Sequence, residues 1–457
     1  MDSEHLSFKP TLKLYQVVLF GLAYMAPMIV FGIFGVIAQT AQGLVVPAYL
    51  VSLVAMLFTA FSYGQMVKAF PTAGSAYTYV RKSISSHLGF LVGWAILLDY
   101  IFIPMAIWLI GASYLTAMFP AVPTWVWILI FIGITSIINI IGIQVATNIN
   151  FLMMAFQFLV IALFVILSIR SLLGGTGAGA LWSVKLFAGD GNGSLSAVLA
   201  GASIACYSYL GFDAITTLTE ETIRPEKTMP RAILLTTLIG GIIFIAASYF
   251  SQLVHPDYLH FSDVSSAGLD IAKEIGGNLF SALFLAGLII AQFASGLSAQ
   301  ASASRLMYAM GRDGVFPKKV FGTLSRKFGT PMFNIILIGI LSLLALTMTV
   351  ATSTSFINFG AFSAFTFVNI SVFSHYFVKK RERGAKAFWK FLVCPLAGAC
   401  CTLLLLIHLD RAALTLGLSW LAVGFVYLLV LTKMFKKEPP ELRFDAETDS
   451  YSHDLAN

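Results

Sequence analysis

The chain consists largely of long apolar runs separated by short polar stretches. Twelve runs are present, at 15–39, 46–69, 88–118, 123–143, 149–172, 194–218, 230–253, 278–304, 331–351, 355–378, 387–408 and 413–435. A helix of about 20 residues crosses a hydrocarbon core of about 30 Å, and every run reaches that length. None shows the short alternating strands of a membrane barrel. The pattern therefore predicts an all-α protein with twelve transmembrane helices, here called segments 1 to 12 in chain order.

Composition supports a membrane protein. Of the 457 residues, 58% are hydrophobic and only 11% are charged, which lies outside the range of soluble domains. The four cysteines all fall inside apolar runs, where they resemble small hydrophobic residues and predict neither disulfides nor a metal site. The polar residues 1–10 lack the basic region and short apolar stretch of a cleaved signal peptide, so we expect segment 1 to be retained.

Lysine and arginine lie mostly on one side of the predicted bundle. An even number of spans places both termini on one face, and all but four of the 28 basic residues fall on that face. Because basic loops stay in the cytoplasm, residues 1–13 and the polar, disordered tail 436–457 are expected there, in a multi-pass protein of the plasma membrane. The net charge of +7 then reflects topology and attraction to anionic lipid in the bilayer, and predicts no nucleic-acid partner.

Segments 1 and 6 contain helix-breaking residues in their middle. Segment 1 includes GLAYMAPMIVFGIFG (Gly21 to Gly35), with Pro27 at its centre, and segment 6 carries Gly211 shortly before Asp213. Glycine and proline in one membrane helix can simply serve packing or a kink. Two breaks five segments apart, however, are typical of inverted-repeat transporters, whose half-helix ends hold the carboxylate and ammonium groups of a solute. The pair favours transport of an amine or amino acid.

The whole chain resembles the amino acid–polyamine–organocation superfamily of permeases. The motifs that carry the resemblance are PTAGSAYTYV (Pro71 to Val80), LVGWAILLDY (Leu91 to Tyr100), YLGFDAITTLTEET (Tyr209 to Thr222) and SRLMYAMGRDGVFP (Ser304 to Pro317). The resemblance implies the LeuT-type fold of two inverted five-helix repeats, at about 14–172 and 194–378. Two extra helices follow at about 387–435, in a single transporter domain that covers 14–435.

Within the superfamily, the chain is most similar to bacterial putrescine importers. GLAYMAPMIVFG and INFGAFSAFTFVNISVF (Ile357 to Phe373) carry this likeness. Those importers have an aspartate where this chain has Gly32, and losing an acid removes a partner for one ammonium group of a diamine. Superfamily members that carry neutral amino acids are therefore equally compatible, and the choice between amino acid and polyamine stays open.

We predict a substrate site at the two breaks, to which segment 3 adds one intramembrane acid. It comprises Tyr24, Ala26, Pro27, Met28, Gly32, Asp99, Tyr207, Tyr209, Gly211 and Asp213. Asp99 and Asp213 are also the candidates for proton coupling, because an acid inside a membrane is costly unless it has a function. Each has a structural alternative, a hydrogen bond between helices for Asp99 and a helix cap for Asp213.

A gate is predicted near the site. The resemblance implies that Tyr207 closes over the substrate. Glu220, Glu221 and Arg224 are expected to form ion pairs at the inner end of segment 6, although a solvated loop is an equal alternative.

These features favour a secondary active importer. No P-loop motif for nucleotide binding is present, so an ion gradient is expected to drive transport, and the resemblance implies a proton. The alternatives are an amino acid exchanger and a nutrient sensor built on the same scaffold. An enzyme is not expected, because the spans show no paired acids, metal cluster or activated nucleophile, and no cofactor is predicted. The oligomeric state cannot be read from the sequence.

Overall fold

The computed structural model describes residues 11–71, 76–142, 147–189, 194–219 and 221–440. Within these ranges every element is a helix, and one isolated bridge joins Leu12 to Thr222. Eleven helical stretches of the described chain are long and apolar enough to cross a membrane. The all-helical membrane fold is thus confirmed. Segment 9 holds a shorter apolar helix, Met332–Leu346, so the count of twelve spans stays a prediction.

The helices follow the predicted segments closely. Segments 1 to 5 comprise Leu14–Met25, Ile29–Gly32, Phe34–Thr40, Val45–Ala69, Ser86–Met118, Thr124–Ile141 and Thr147–Leu173. Segments 6 to 10 comprise Leu195–Ala205, Cys206–Tyr209, Ala214–Leu218, Pro225–Val254, Ala267–Arg312, Met332–Leu341, Ser342–Leu346, Val350–Val372 and Phe373–Lys379. Segments 11 and 12 comprise Ala385–Phe388, Trp389–Val393, Cys394–Ile407 and Arg411–Leu431. Short helices Ala76–Ser83, Lys185–Ala188, Val264–Ser266 and Lys318–Phe321 lie between segments.

Segment 8 begins earlier than its hydropathy suggests. We expect it at 278–304, but the helix runs over Ala267–Arg312 and is interrupted at Gly277, where φ is 65°. The added first part carries Asp270, Lys273 and Glu274, so it is too polar to register as an apolar run although its residues are helical. The positive φ is accessible to glycine without strain and separates this polar part from the membrane-spanning part.

Segment 3 lies at the centre of the helix bundle. It packs against segments 8, 10 and 12, and most of its side chains are buried. Tyr114 near its end donates a hydrogen bond of 2.5 Å to the carbonyl of Phe31 in segment 1. Trp94 and Trp420 of segment 12 stack with their ring centroids 5.1 Å apart. Each of these indoles donates a hydrogen bond to the other residue's carbonyl, at 2.9 and 2.8 Å.

Candidate functional site

Segment 1 is interrupted at the predicted proline. The first helix ends at Met25, and Ala26 takes a left-handed conformation with φ 49°. Pro27 supplies no backbone N–H, and the chain resumes a helix at Ile29, whose N–H donates to the carbonyl of Ala26 at 2.8 Å. The break is buried, as the bilayer requires of backbone that leaves the helical hydrogen-bond ladder.

Segment 6 is interrupted at Gly211. Its α-helix ends at Ala205 and tightens into the 3₁₀ turn Cys206–Tyr209, after which Gly211 adopts φ 115°. A side chain at this position would overlap the ring of Tyr24 in segment 1. Glycine is therefore required twice, for the backbone angle and for the close approach. The two breaks are in direct contact.

A small cavity lies at this contact. Three segments line it, through Tyr24, Asp99, Tyr100, Ile103, Leu210, Gly211, Asp213 and Ala214. The room inside is about 10 Å³, enough for about one water molecule. The structure thus brings together Tyr24, Asp99, Gly211 and Asp213 from the predicted site. In this conformation the cavity is too small for an organic amine.

Two carboxylates line the cavity. Asp99 is 9% exposed, and its Oδ1 has no hydrogen-bond partner among the described residues. Asp213 is partly exposed and lies near the backbone N–H groups of Gly211 and Ala214, without capping the turn that follows. The acids are close enough to repel each other, and the described residues that line the cavity include no lysine or arginine. Acids in this setting need a cation or a proton to balance their charge.

The remaining predicted residues of segment 1 lie outside the cavity wall. Ala26, Pro27 and Met28 are buried and form the break itself. Gly32 lies in the turn Ile29–Gly32, where a Cβ atom would be 2.9 Å from Cγ2 of Ile110 and 3.5 Å from Nε2 of Gln292. That Nε2 atom is buried and has no hydrogen-bond partner among the described residues. A side chain at position 32 would thus point at an unpaired amide.

The two predicted tyrosines of segment 6 have different surroundings. Tyr207 is 5% exposed and lies close enough to Asp99 for an electrostatic interaction, although it does not line the cavity. Tyr209 instead packs edge-on against Phe244 of segment 7, with ring centroids 5.2 Å apart. Of the two, Tyr207 interacts with an acid of the site, and Tyr209 packs on segment 7.

The C-terminal end of segment 6 is held by backbone hydrogen bonds. The N–H groups of Thr11 and Leu12 both donate to the carbonyl of Glu221 at 2.9 Å, and Ile223 donates to the carbonyl of Leu12 at 3.0 Å. The side chains of Glu221 and Arg224 form no ion pair within the described chain, and Glu220 lies outside the described residues. The predicted ion-pair gate therefore has no support from the described residues.

Several cavity residues were missed by the sequence reasoning. They are Tyr100, Ile103, Leu210 and Ala214. Helical spacing could have identified Ile103, which lies one turn after Asp99 on the same face. Tyr63 packs against Phe212 with their ring centroids 5.7 Å apart, and it lies close enough to Asp213 for an electrostatic interaction. No sequence signal links Tyr63 to segment 6, because their contact depends on the tertiary fold.

Comparison with known proteins gives a consistent set of relatives. A family model described as Amino acid permease matches residues 16–435. The low-affinity putrescine importer PlaP of Escherichia coli K12 is 41% identical over 441 residues, which cover 96% of this chain and 97% of that protein. The methylthioribose transporter of Bacillus subtilis strain 168 is 27% identical over 94% of this chain and 95% of its own length. The branched-chain amino acid permease BcaP of the same strain is 24% identical over the same shares.

Proposed function

The chain belongs to the amino acid permease family and imports amine-bearing solutes, and from this premise we propose that its substrate is an aliphatic diamine such as putrescine. Uptake is driven by protons that enter with the diamine across the plasma membrane, with both chain termini in the cytoplasm. The relative that is 41% identical over nearly the full length is a putrescine importer, which supports the proposal.

One observation carries the choice of a diamine. Asp99 and Asp213 line the same cavity, and none of its lining residues in the described part of the chain is basic. A diamine brings two ammonium groups, and a hydrogen bond to a charged group contributes about 1.5–3 kcal/mol. An amino acid would bring a carboxylate into repulsion with both acids. The aspartate that putrescine importers carry at the position of Gly32 is missing here, but the pair Asp99 and Asp213 is still present.

Aromatic rings complete the proposed amine site. Tyr24 and Tyr100 lie in the cavity wall beside the acids. The face of an aromatic ring attracts an ammonium group, by about 0.5–2 kcal/mol depending on how far the cation is desolvated. We infer that these rings hold the methylene chain and shield the charged ends of the diamine from bulk water.

Proton coupling follows from the same pair of acids. For symport the proton must be bound and released together with the diamine, so we infer that in the loaded site one acid carries a proton and accepts a hydrogen bond from one ammonium group, while the ionised acid pairs with the other. Alternating access then requires the contact between Tyr24 and Gly211 to open, because the cavity in this conformation has room for only about one water molecule.

An amino acid substrate is the second candidate. The unpaired Nε2 of Gln292 beside Gly32 could donate to a substrate carboxylate. In this arrangement the acids would bind only the α-ammonium group. Competition distinguishes the two candidates, since leucine should displace an amino acid but not a diamine.

The test is uptake of radiolabelled putrescine into proteoliposomes with an imposed pH gradient, acidic outside. We expect saturable uptake that is not inhibited by leucine, and its loss in Asp99→Asn and Asp213→Asn. Asp257→Asn is the matched control, because Asp257 lies in an exposed loop, where it pairs with His260 and accepts a hydrogen bond from the N–H of Leu259. Complete inhibition by leucine would reject the diamine. Full activity of both cavity variants would reject the site, and uptake undiminished without the gradient would reject proton coupling. Counterflow of labelled putrescine would separate a transporter from a nutrient sensor.

A further inference from the structure

A groove on the outside of the bundle is much larger than the central cavity. Its volume is about 470 Å³, and it lies between segment 2 and the start of segment 11. The lining residues are Phe61, Ala385, Lys386, Trp389, Lys390 and Cys394. Both bordering helices, Val45–Ala69 and Ala385–Ile407, are candidate membrane spans. The groove therefore opens where the protein surface meets lipid.

Positive charge is concentrated at one end of this groove. Lys386 and Lys390 lie four residues apart, so their side chains extend from one side of segment 11. Lys68, in the last turn of segment 2, is close enough to Lys390 to repel it. Glu382 is the acid that attracts Lys390 among the described residues. None of the three lysines forms an ion pair with a described residue. The end of the groove therefore carries unbalanced positive charge.

The rest of the groove is apolar. Phe61, Ala385 and Cys394 offer no charge, and Trp389 is 63% exposed, as is typical of tryptophan at a membrane interface. The ammonium group of Lys390 lies 4.6 Å from the centre of the Phe391 ring. Residues Trp389–Val393 form a π-helical turn, a local widening that often occurs at functional sites.

We propose that this groove binds one anionic phospholipid. The phosphate lies between Lys386 and Lys390, and an acyl chain packs along Phe61 and Trp389. A zwitterionic lipid carries its own cation, which the lysines repel, so it binds less tightly. A free phosphate ion has no apolar part that could pack against the apolar wall. The proposal is independent of the substrate, because the groove and the central cavity share no residue.

Native mass spectrometry of the full-length protein in detergent tests the proposal. We titrate phosphatidylglycerol and phosphatidylcholine separately and expect a preferred single adduct with phosphatidylglycerol. The variant Lys386→Gln/Lys390→Gln should lose roughly thirty-fold in affinity for phosphatidylglycerol and little for phosphatidylcholine. The matched control Lys318→Gln/Lys319→Gln removes two charges from the short helix Lys318–Phe321 and should bind as the wild type does.

A second variant addresses the apolar part without changing charge. Ala385→Trp places an indole in the groove and should displace the adduct while uptake in the central site is unchanged. If the double lysine variant fails to fold, this variant alone decides the question. Equal binding of the two lipids by the wild type, unchanged binding by Ala385→Trp, or equal loss in the Lys318/Lys319 control would overturn the proposal.

Discussion

Replacing Gly211 with alanine tests the contact between the two breaks. Alanine at φ 115° is strained, and such backbone strain costs about 1–3 kcal/mol. The new methyl group would also overlap the ring of Tyr24, and overpacking of this kind costs about 1–3 kcal/mol more. The combined penalty is about 2–6 kcal/mol. We expect a lower melting temperature and at least tenfold slower uptake, because Tyr24 must leave its place in the cavity wall.

Uptake and thermal unfolding are measured together for this variant. Gly133→Ala is the control, since Gly133 is helical and no heavy atom lies within 4 Å of the added Cβ. It should keep normal uptake and be equally or slightly more stable, because alanine favours a helix over glycine by about 1 kcal/mol. In a Tyr24→Ala background the overlap is absent, so Gly211→Ala should cost less stability there. Normal uptake and an unchanged melting temperature in the single variant would refute the reasoning.

Three further substitutions probe other contacts. Gly32→Asp places a carboxylate beside the unpaired amide of Gln292, once the Ile110 side chain shifts to admit the new Cβ atom, and adds a third acid to segments 1, 3 and 6, so we expect a lower KM for putrescine; an unchanged or higher KM would contradict this. Leu12→Pro removes the N–H that donates to the carbonyl of Glu221 and should lower the melting temperature, whereas Leu12→Ala keeps the N–H and serves as its control. Asn358→Leu removes a 2.7 Å hydrogen bond from the side-chain amide to the backbone of segment 6. Thermal unfolding should show a loss of stability of about 1–3 kcal/mol, and an unchanged melting temperature would contradict this.

The helices and their breaks could be predicted because they depend on local chemistry. Long apolar runs must form helices in lipid, since only helices satisfy the backbone within one segment. Pro27 and Gly211 interrupt their helices through a missing donor and a positive φ, which act at the residue itself. The polar beginning of segment 8 escaped the prediction because hydropathy does not detect a charged helix.

The membership of the site could be predicted only in part. Asp99 and Asp213 were identified because acids in apolar runs stand out individually. Tyr209 could not be distinguished from Tyr207 in this way, since the two differ only in which neighbouring helix they meet. The backbone hydrogen bonds at Glu221 were also beyond prediction, because they join residues far apart in the sequence through groups that every residue carries.

The stacked pair Trp94 and Trp420 gives the protein a built-in optical reporter. The two indoles are fixed at 5.1 Å in a single relative orientation by their reciprocal hydrogen bonds, so their electronic transitions couple. Such coupling gives a circular dichroism couplet that disappears when the rings separate. Trp94 lies five residues before Asp99, so the signal reports on the helix that carries one of the two acids. Its persistence after substrate is added would show that segments 3 and 12 keep their relative arrangement at this pair, and it would do so without any attached label.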